Sequence, residues 1–300
     1  MAGKLKRIRE FVATDLWRDA PTRPRLKTAA IRVARVLVLS VRGFFADRCL
    51  LHATALAYTT LLSLVPLLAF SFSVAKGLGG QERIQPLVDK WVAMNREDVG
   101  KLLAELIERT SHYIRQTHVG ILGAIALLFS VWTLISVMGA IETSLNQIWR
   151  VERPRTLFRR ITDYTGMLAV SPILLLVGMS AMAAFHHTTI GQSIRSSILL
   201  GRLVEVLLVF IPTWIAFATV YILMPNTKVR LVPALVGGVV AGTAWQAAFW
   251  LYTTLQIGMA RYNAIYGAFA ALPVFMTWLY VSWAVVLFGA EVSRATQDVK

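Results

Sequence analysis

The sequence predicts an all-α membrane bundle of six transmembrane helices, and three observations predict it. First, 56% of the 300 residues are hydrophobic and only 16% are charged, with a mean hydropathy of +0.60. A soluble domain holds about 45–50% apolar residues, so the excess needs an apolar solvent to face. Second, six apolar stretches run over 53–75, 119–141, 164–186, 203–224, 231–253 and 269–290. Each measures about 22 residues, or ~33 Å of helix, enough for a hydrocarbon core of ~30 Å. Only a helix satisfies its own backbone in lipid at that length. Third, the charge is one-sided, with 31 Lys+Arg against 16 Asp+Glu.

A net charge of +15 would suggest nucleic acid in a soluble protein. In a membrane protein it reports basic loops held on the cytoplasmic side, so no nucleic-acid partner is expected. Residues 1–52 hold twelve of the basic residues: Lys4, Lys6, Arg7, Arg9, Arg18, Arg23, Arg25, Lys27, Arg32, Arg35, Arg42 and Arg48. Arg150, Arg153, Arg155, Arg159 and Arg160 follow the second stretch, Lys228 and Arg230 follow the fourth, and Arg294 and Lys300 close the chain. These lie on one side if the six stretches all cross. The long loop 76–118 on the other side is nearly neutral, because Glu82, Asp89, Glu97, Asp98, Glu105 and Glu108 offset its bases. The asymmetry predicts both termini in the cytoplasm. No apolar run with a small-residue cleavage site follows the basic N-terminus closely, so no cleaved signal peptide is expected.

Outside the spans two further helical regions are expected. In 29–46, Arg32, Arg35 and Arg42 interrupt the apolar residues before a run can cross; a basic amphipathic helix lying in the cytoplasmic interface fits better. In 82–116 the spacing of Ile84, Leu87, Val88, Trp91 and Val92, then of Val99, Leu102, Leu103, Leu106 and Ile107, predicts an amphipathic helical hairpin on the outer face. Asn95 suits its second N-cap. It reads either as a lid or as structural packing. The organisation is therefore a basic arm over 1–52, a six-span domain over 53–290 and a cytoplasmic tail over 291–300.

No catalytic, cofactor or metal site is legible. His52, His112, His118, His186 and His187 form no ligand motif, and no phosphate-binding or nucleophile-elbow motif is present. The lone cysteine, Cys49, excludes an internal disulfide and reads as a small buried apolar residue. The chain is not expected to be an enzyme. The spans lack a central carboxylate or lysine, which ion-coupled pumps carry. Glu142, Glu205 and Glu291 all fall at span ends, and Arg202 lies three residues before Glu205, close enough to pair with it. Pro66, Pro172, Pro212 and Pro273 predict bent helices, and Gly238-x-x-x-Gly242 a close helix contact.

Weak signals converge at the cytoplasmic ends. Glu142 and Asn146 share a helix face, and topology brings Asn226 and Glu291 to the same level. Arg150, Lys228 and Arg230 belong to that level too, able to pair with those carboxylates or to bind a phosphate head group. Together these seven residues form a candidate polar vestibule. The competing reading is ordinary interfacial anchoring, each side chain solvated alone.

Four segments carry a resemblance: FFADRCLLHATALAYTTLLSLVPLLA (44–69), ETSLNQIWRV (142–151), YILMPNTKVRLVPALVGGVVAG (221–242) and RYNAIYGAFAALPVFMTWLYVSWAVVLFGAE (261–291). In these the chain resembles the YihY/BrkB family of bacterial inner-membrane proteins, once mislabelled ribonuclease BN. The matching residues are Asp47, Tyr58, Pro66, Asn146, Trp149, Pro225, Asn226, Tyr262, Tyr266, Gly267 and Glu291; Thr59 departs, standing where a second aromatic is expected. The resemblance implies six spans in a bacterial inner membrane. It names no secure reaction. The expected function is transport or lipid handling in the envelope, with membrane lipids and anionic head groups as partners. The alternative is a non-transporting scaffold for envelope assembly. The absent metal ligands argue against a ribonuclease, and self-association stays open.

Overall fold

The computed structural model describes residues 25–77, 121–151, 155, 198–260 and 264–299. All regular structure among them is helical: α1 (Arg25–Ala46), α2 (Cys49–Gly77), α3 (Ile121–Ile148), α4 (Ile198–Leu223), α5 (Leu231–Ala260) and α6 (Ala264–Asp298). Five of the six apolar stretches thus lie in helices. The stretch 164–186, the hairpin 82–116 and the first part of the basic arm lie outside the described residues, as does Tyr262. Three stretches among the described residues are long and apolar enough to cross a membrane: Leu128–Ile148, Leu231–Leu255 and Leu272–Asp298.

α6 is the hub, touching each of the other five helices, with α5 its largest partner. α4 packs mainly on α5, and α3 packs mainly on α2. With 35 residues, α6 is ~52 Å long at 1.5 Å per residue, well beyond a ~30 Å hydrocarbon core. α1 lies antiparallel along its last three turns: Gly43 meets Glu291, and the Phe44 and Phe288 rings sit 5.7 Å apart, edge to face. The other side of α1 exposes Val33, Leu37, Val41 and Phe45, one per turn. Such a stripe at i, i+4, i+8 and i+12 is one continuous apolar face.

Small residues set the α4–α5–α6 seam. A Cβ on Gly237 would stand 2.5 Å from the carbonyl oxygen of Gly289, and one on Gly238 2.6 Å from that of Trp214. Neither obstacle is a side chain that can swing aside, so the backbones require glycine here. Gly242 faces Trp214 as well, so the Gly238-x-x-x-Gly242 spacing marks the α4 contact and Gly237 the α6 contact. Above this seam the Trp278 ring touches Trp245, Phe249, Tyr252 and Phe275, with centroids 5.1–6.3 Å away. Between helices the few polar bonds are neutral: Tyr221 donates to the Val286 carbonyl (2.8 Å), Trp214 to Thr243, Gln246 to Thr213 and Trp283 to Thr60.

Candidate functional site

One end of the bundle gathers the α1–α2 corner, the C-terminus of α3, the α4–α5 connection and the last turns of α6. Helix ends leave unsatisfied backbone groups, and here side chains from neighbouring helices satisfy them. α3 ends in a Schellman motif: Val151 N–H donates to Asn146 O (2.9 Å) and Arg150 N–H to Gln147 O (3.0 Å). Its C′ residue is Arg150 at φ 52°, left-handed without being glycine. Arg48, between α1 and α2, is left-handed too, at φ 51°. Asp47 N–H donates to Gly43 O (2.7 Å), and Gln147 Nε2 donates to Asp47 O (3.2 Å), which ties α3 to that corner.

Two arginines organise the interior, and each joins a helix C-terminus to a carboxylate. The guanidinium of Arg155 donates to the carbonyls of Leu223 (2.9 Å), Met224 (3.2 Å) and Pro225 (3.4 Å), while its backbone N–H reaches Glu142 Oε1 (3.4 Å). A cation on the last carbonyls of α4 is favoured by the helix dipole as well as by the bonds. Glu142 is fully buried and also accepts from Asn146 Nδ2 (3.2 Å). Asn146 Oδ1 in turn accepts the Asn226 N–H (2.8 Å). This first cluster therefore clamps α3 to the α4–α5 connection.

Arg294 repeats the arrangement on α6. Its Nη1 donates to Ile148 O (2.6 Å), the C-terminal carbonyl of α3, and pairs with Asp47 Oδ2 (3.2 Å); its Nε lies 3.6 Å from Asp298 Oδ2. Glu291, only 2% exposed, sits one turn before it. Among the described residues the Glu291 carboxylate makes no ion pair; it accepts a weak bond from Cys49 Sγ (3.8 Å) and lies against Gly43, where any Cβ would collide with it. This end thus holds three carboxylates, buried Glu142 and Glu291 and partly buried Asp47, near two partly buried guanidinium groups. Beside it Ser144 Oγ bonds Ala140 O (2.9 Å) and contacts His52 Nδ1 (3.2 Å).

Of the seven vestibule residues, the structure joins Glu142, Asn146 and Asn226 directly, and places Glu291 in the neighbouring cluster. Arg150, Lys228 and Arg230 are exposed and do not reach those carboxylates. For the last two it is the backbone that is engaged: Gln297 accepts from Arg230 N–H (2.9 Å) and donates to Lys228 O (3.3 Å). Among the residues carrying the resemblance, Asp47 pairs with Arg294 and Pro225 is buried against the first cluster. Trp149 packs on the core beside the α3 terminus. Tyr58 is exposed on α2 near Pro66, and Tyr266 and Gly267 lie in the first turn of α6, their side chains outside the described residues. The side chains of Arg202 and Glu205 lie outside them as well. Arg155, Arg294 and Cys49 are the functional candidates that sequence reasoning missed. The arginines bond backbone carbonyls of distant helices, which leaves no local spacing to read. No group of His, Cys, Asp and Glu among the described residues is arranged to hold a metal ion.

Comparison with known proteins identifies a family of membrane proteins. The family described as virulence factor BrkB matches residues 40–300. A UPF0761 membrane protein of Halorhodospira halophila is 33% identical over 293 residues, covering 96% of this chain and 62% of that protein. One from Alcanivorax borkumensis is 31% identical over 259 residues, covering 86% and 59% respectively, and one from Aeromonas salmonicida is 34% identical over 249 residues, covering 82% and 83%. The chain spans about three fifths of the length of the first two. No solved structure matches. With a family match over the last turns of α1 and all of α2 to α6, the chain belongs to the YihY/BrkB family of membrane proteins.

Proposed function

We propose that this protein handles a lipid or small amphipathic solute in the bacterial inner membrane, with both termini cytoplasmic, and that the charged end of the bundle is its closed cytoplasmic gate. The carrying observation is that buried Glu142 and Glu291 gather with the partly buried Asp47, Arg155 and Arg294 at one end of the bundle. Ionisable groups inside a membrane protein are expensive and mark pathways. An odd carboxylate with no cation of its own, Glu291, adds a group that can take up a proton or cation when the gate rearranges. The basic bias of the short loops supports a cytoplasmic position for this end, and the outward apolar stripe of α1 suits a helix resting against lipid. Two further polar atoms, Trp278 Nε1 and Ser282 Oγ, are buried one turn apart on α6 without a hydrogen-bond partner among the described residues. They suit a polar group passing that level.

A scaffold reading has its own support, because both arginines of the charged end also bond helix-end carbonyls. The two readings part in a transbilayer assay. The purified full chain, reconstituted into vesicles with fluorescent phosphatidylglycerol, should speed dithionite-accessible exchange of the label between leaflets by at least about tenfold over empty vesicles, and Glu291→Gln should change that rate. Exchange no faster than in empty vesicles, with labelled lipids of several head groups, removes the transport reading and leaves the scaffold.

A further inference from the structure

A separate cleft opens beside the charged end, between α1, the start of α5 and the tip of α6. Arg32 and Val36 form one wall, Arg230 and Pro233 the other, and Thr296 and Gln297 the floor; it encloses about 400 Å³. Its two walls each bring one exposed arginine from a different part of the chain, and among the described residues no carboxylate pairs with either guanidinium. The start of α5 faces the same space, so its positive dipole end adds to both charges. The exterior changes character here. Lys228 and Arg230 are exposed just before α5, and the next exposed positions are Leu231, Val232, Leu235, Val236 and Val239. Across the cleft Val33 and Leu37 follow Arg32 in the same way. Cationic mouth and apolar walls therefore meet at one level, which is the arrangement of an interfacial lipid site.

From this juxtaposition we infer that the cleft binds the anionic head group of a membrane phospholipid, with an acyl chain laid along the apolar face of α5. The inference deepens the lipid reading above, but it concerns equilibrium binding and needs no transport. Charge complementarity selects the occupant: a zwitterionic head group has a cation of its own to bring near Arg32 and Arg230, and a second copy of this strongly basic chain would bring more positive charge.

The test is native mass spectrometry of the full chain released from nanodiscs of equal phosphatidylglycerol and phosphatidylcholine. Wild type should retain phosphatidylglycerol in preference to phosphatidylcholine. A basic residue near the surface contributes about a fivefold gain in affinity, so Arg32→Gln with Arg230→Gln should cut the preference about twenty-five-fold. Both sites are exposed, and circular dichroism checks that the helices persist. Val36→Trp, which fills the cleft and keeps both charges, should give a comparable loss and stands in if the double variant fails to fold. Millimolar glycerol phosphate should not displace the lipid. An unchanged preference in both variants overturns the inference, as does displacement by glycerol phosphate, which would make this a site for free phosphate. A dimer that survives delipidation and dissociates in the double variant also overturns it, because a second copy would then occupy the cleft. Retained binding with failed lipid exchange refutes transport alone; retained exchange with failed binding refutes the cleft alone.

Discussion

The α4–α5–α6 seam and the charged end hold the same helices together by opposite means. At the seam glycine removes side chains until backbones touch, and aromatic rings fill what remains; the ionisable groups named there are the phenols of Tyr221, bonded to a carbonyl, and Tyr252. At the charged end the helices are held by the Arg294–Asp47 pair and by arginines on helix-end carbonyls, contacts that weaken if one proton moves or one partner leaves. Close packing of this kind has a single arrangement, because interiors are dense and resist expansion. The gate proposed above requires that the charged layer have a second one, with its groups turned to water. The contrast locates rigidity and the capacity to switch at different depths of one bundle.

The largest expected effect tests the charged end. Arg294→Ala leaves partly buried Asp47 without its ion-pair partner and strips a cap from α3, a loss of about 2–4 kcal/mol. Chemical denaturation in mild detergent should show it, and Arg294→Lys should recover only part, since an ammonium lacks the planar fork that reaches both partners. A loss below about 1 kcal/mol would mean the pair is effectively solvated. Next comes the seam: Gly237→Val drives two methyl groups against the Gly289 carbonyl and should cost about 1–3 kcal/mol. Unlike the Arg294 effect, this loss should be the same at every pH and salt concentration, because no charge changes. Salt sensitivity in the glycine variant would break the comparison.

The smallest effect concerns Arg150. Its left-handed backbone costs roughly 1 kcal/mol relative to glycine, so Arg150→Gly should raise the thermal midpoint slightly while leaving helix content unchanged. Destabilisation instead would show that the guanidinium is needed at the α3 terminus.

Much of the fold was legible because span-length apolar runs have few other solutions. The ends of the helices were less so. Glu142 and Asn146 read as the polar margin of a span over 119–141, yet α3 continues to Ile148 and buries both. Arg155 and Arg294 appeared only as charges in a topology count, because their partners, the carbonyls of Leu223 and Ile148, lie in helices far along the chain. Arg150 carries no turn signal, since neither glycine nor asparagine marks its left-handed turn. Lys228 and Arg230 were grouped with the carboxylates by level alone. Level fixes depth in the membrane but not direction around the bundle, and their side chains point elsewhere.

The central claim, that the charged end is a gate, is tested most directly by distance across it. Spin labels at Arg150→Cys and Thr227→Cys, both exposed positions, in a Cys49→Ala background flank the Asn146–Asn226 bond that clamps α3 to the α4–α5 connection. In liposomes containing phosphatidylglycerol the account predicts two distance populations, whose ratio shifts in Glu291→Gln. One narrow distance, unmoved by lipid, by pH or by that substitution, would contradict it and mark the charged end as a fixed cap.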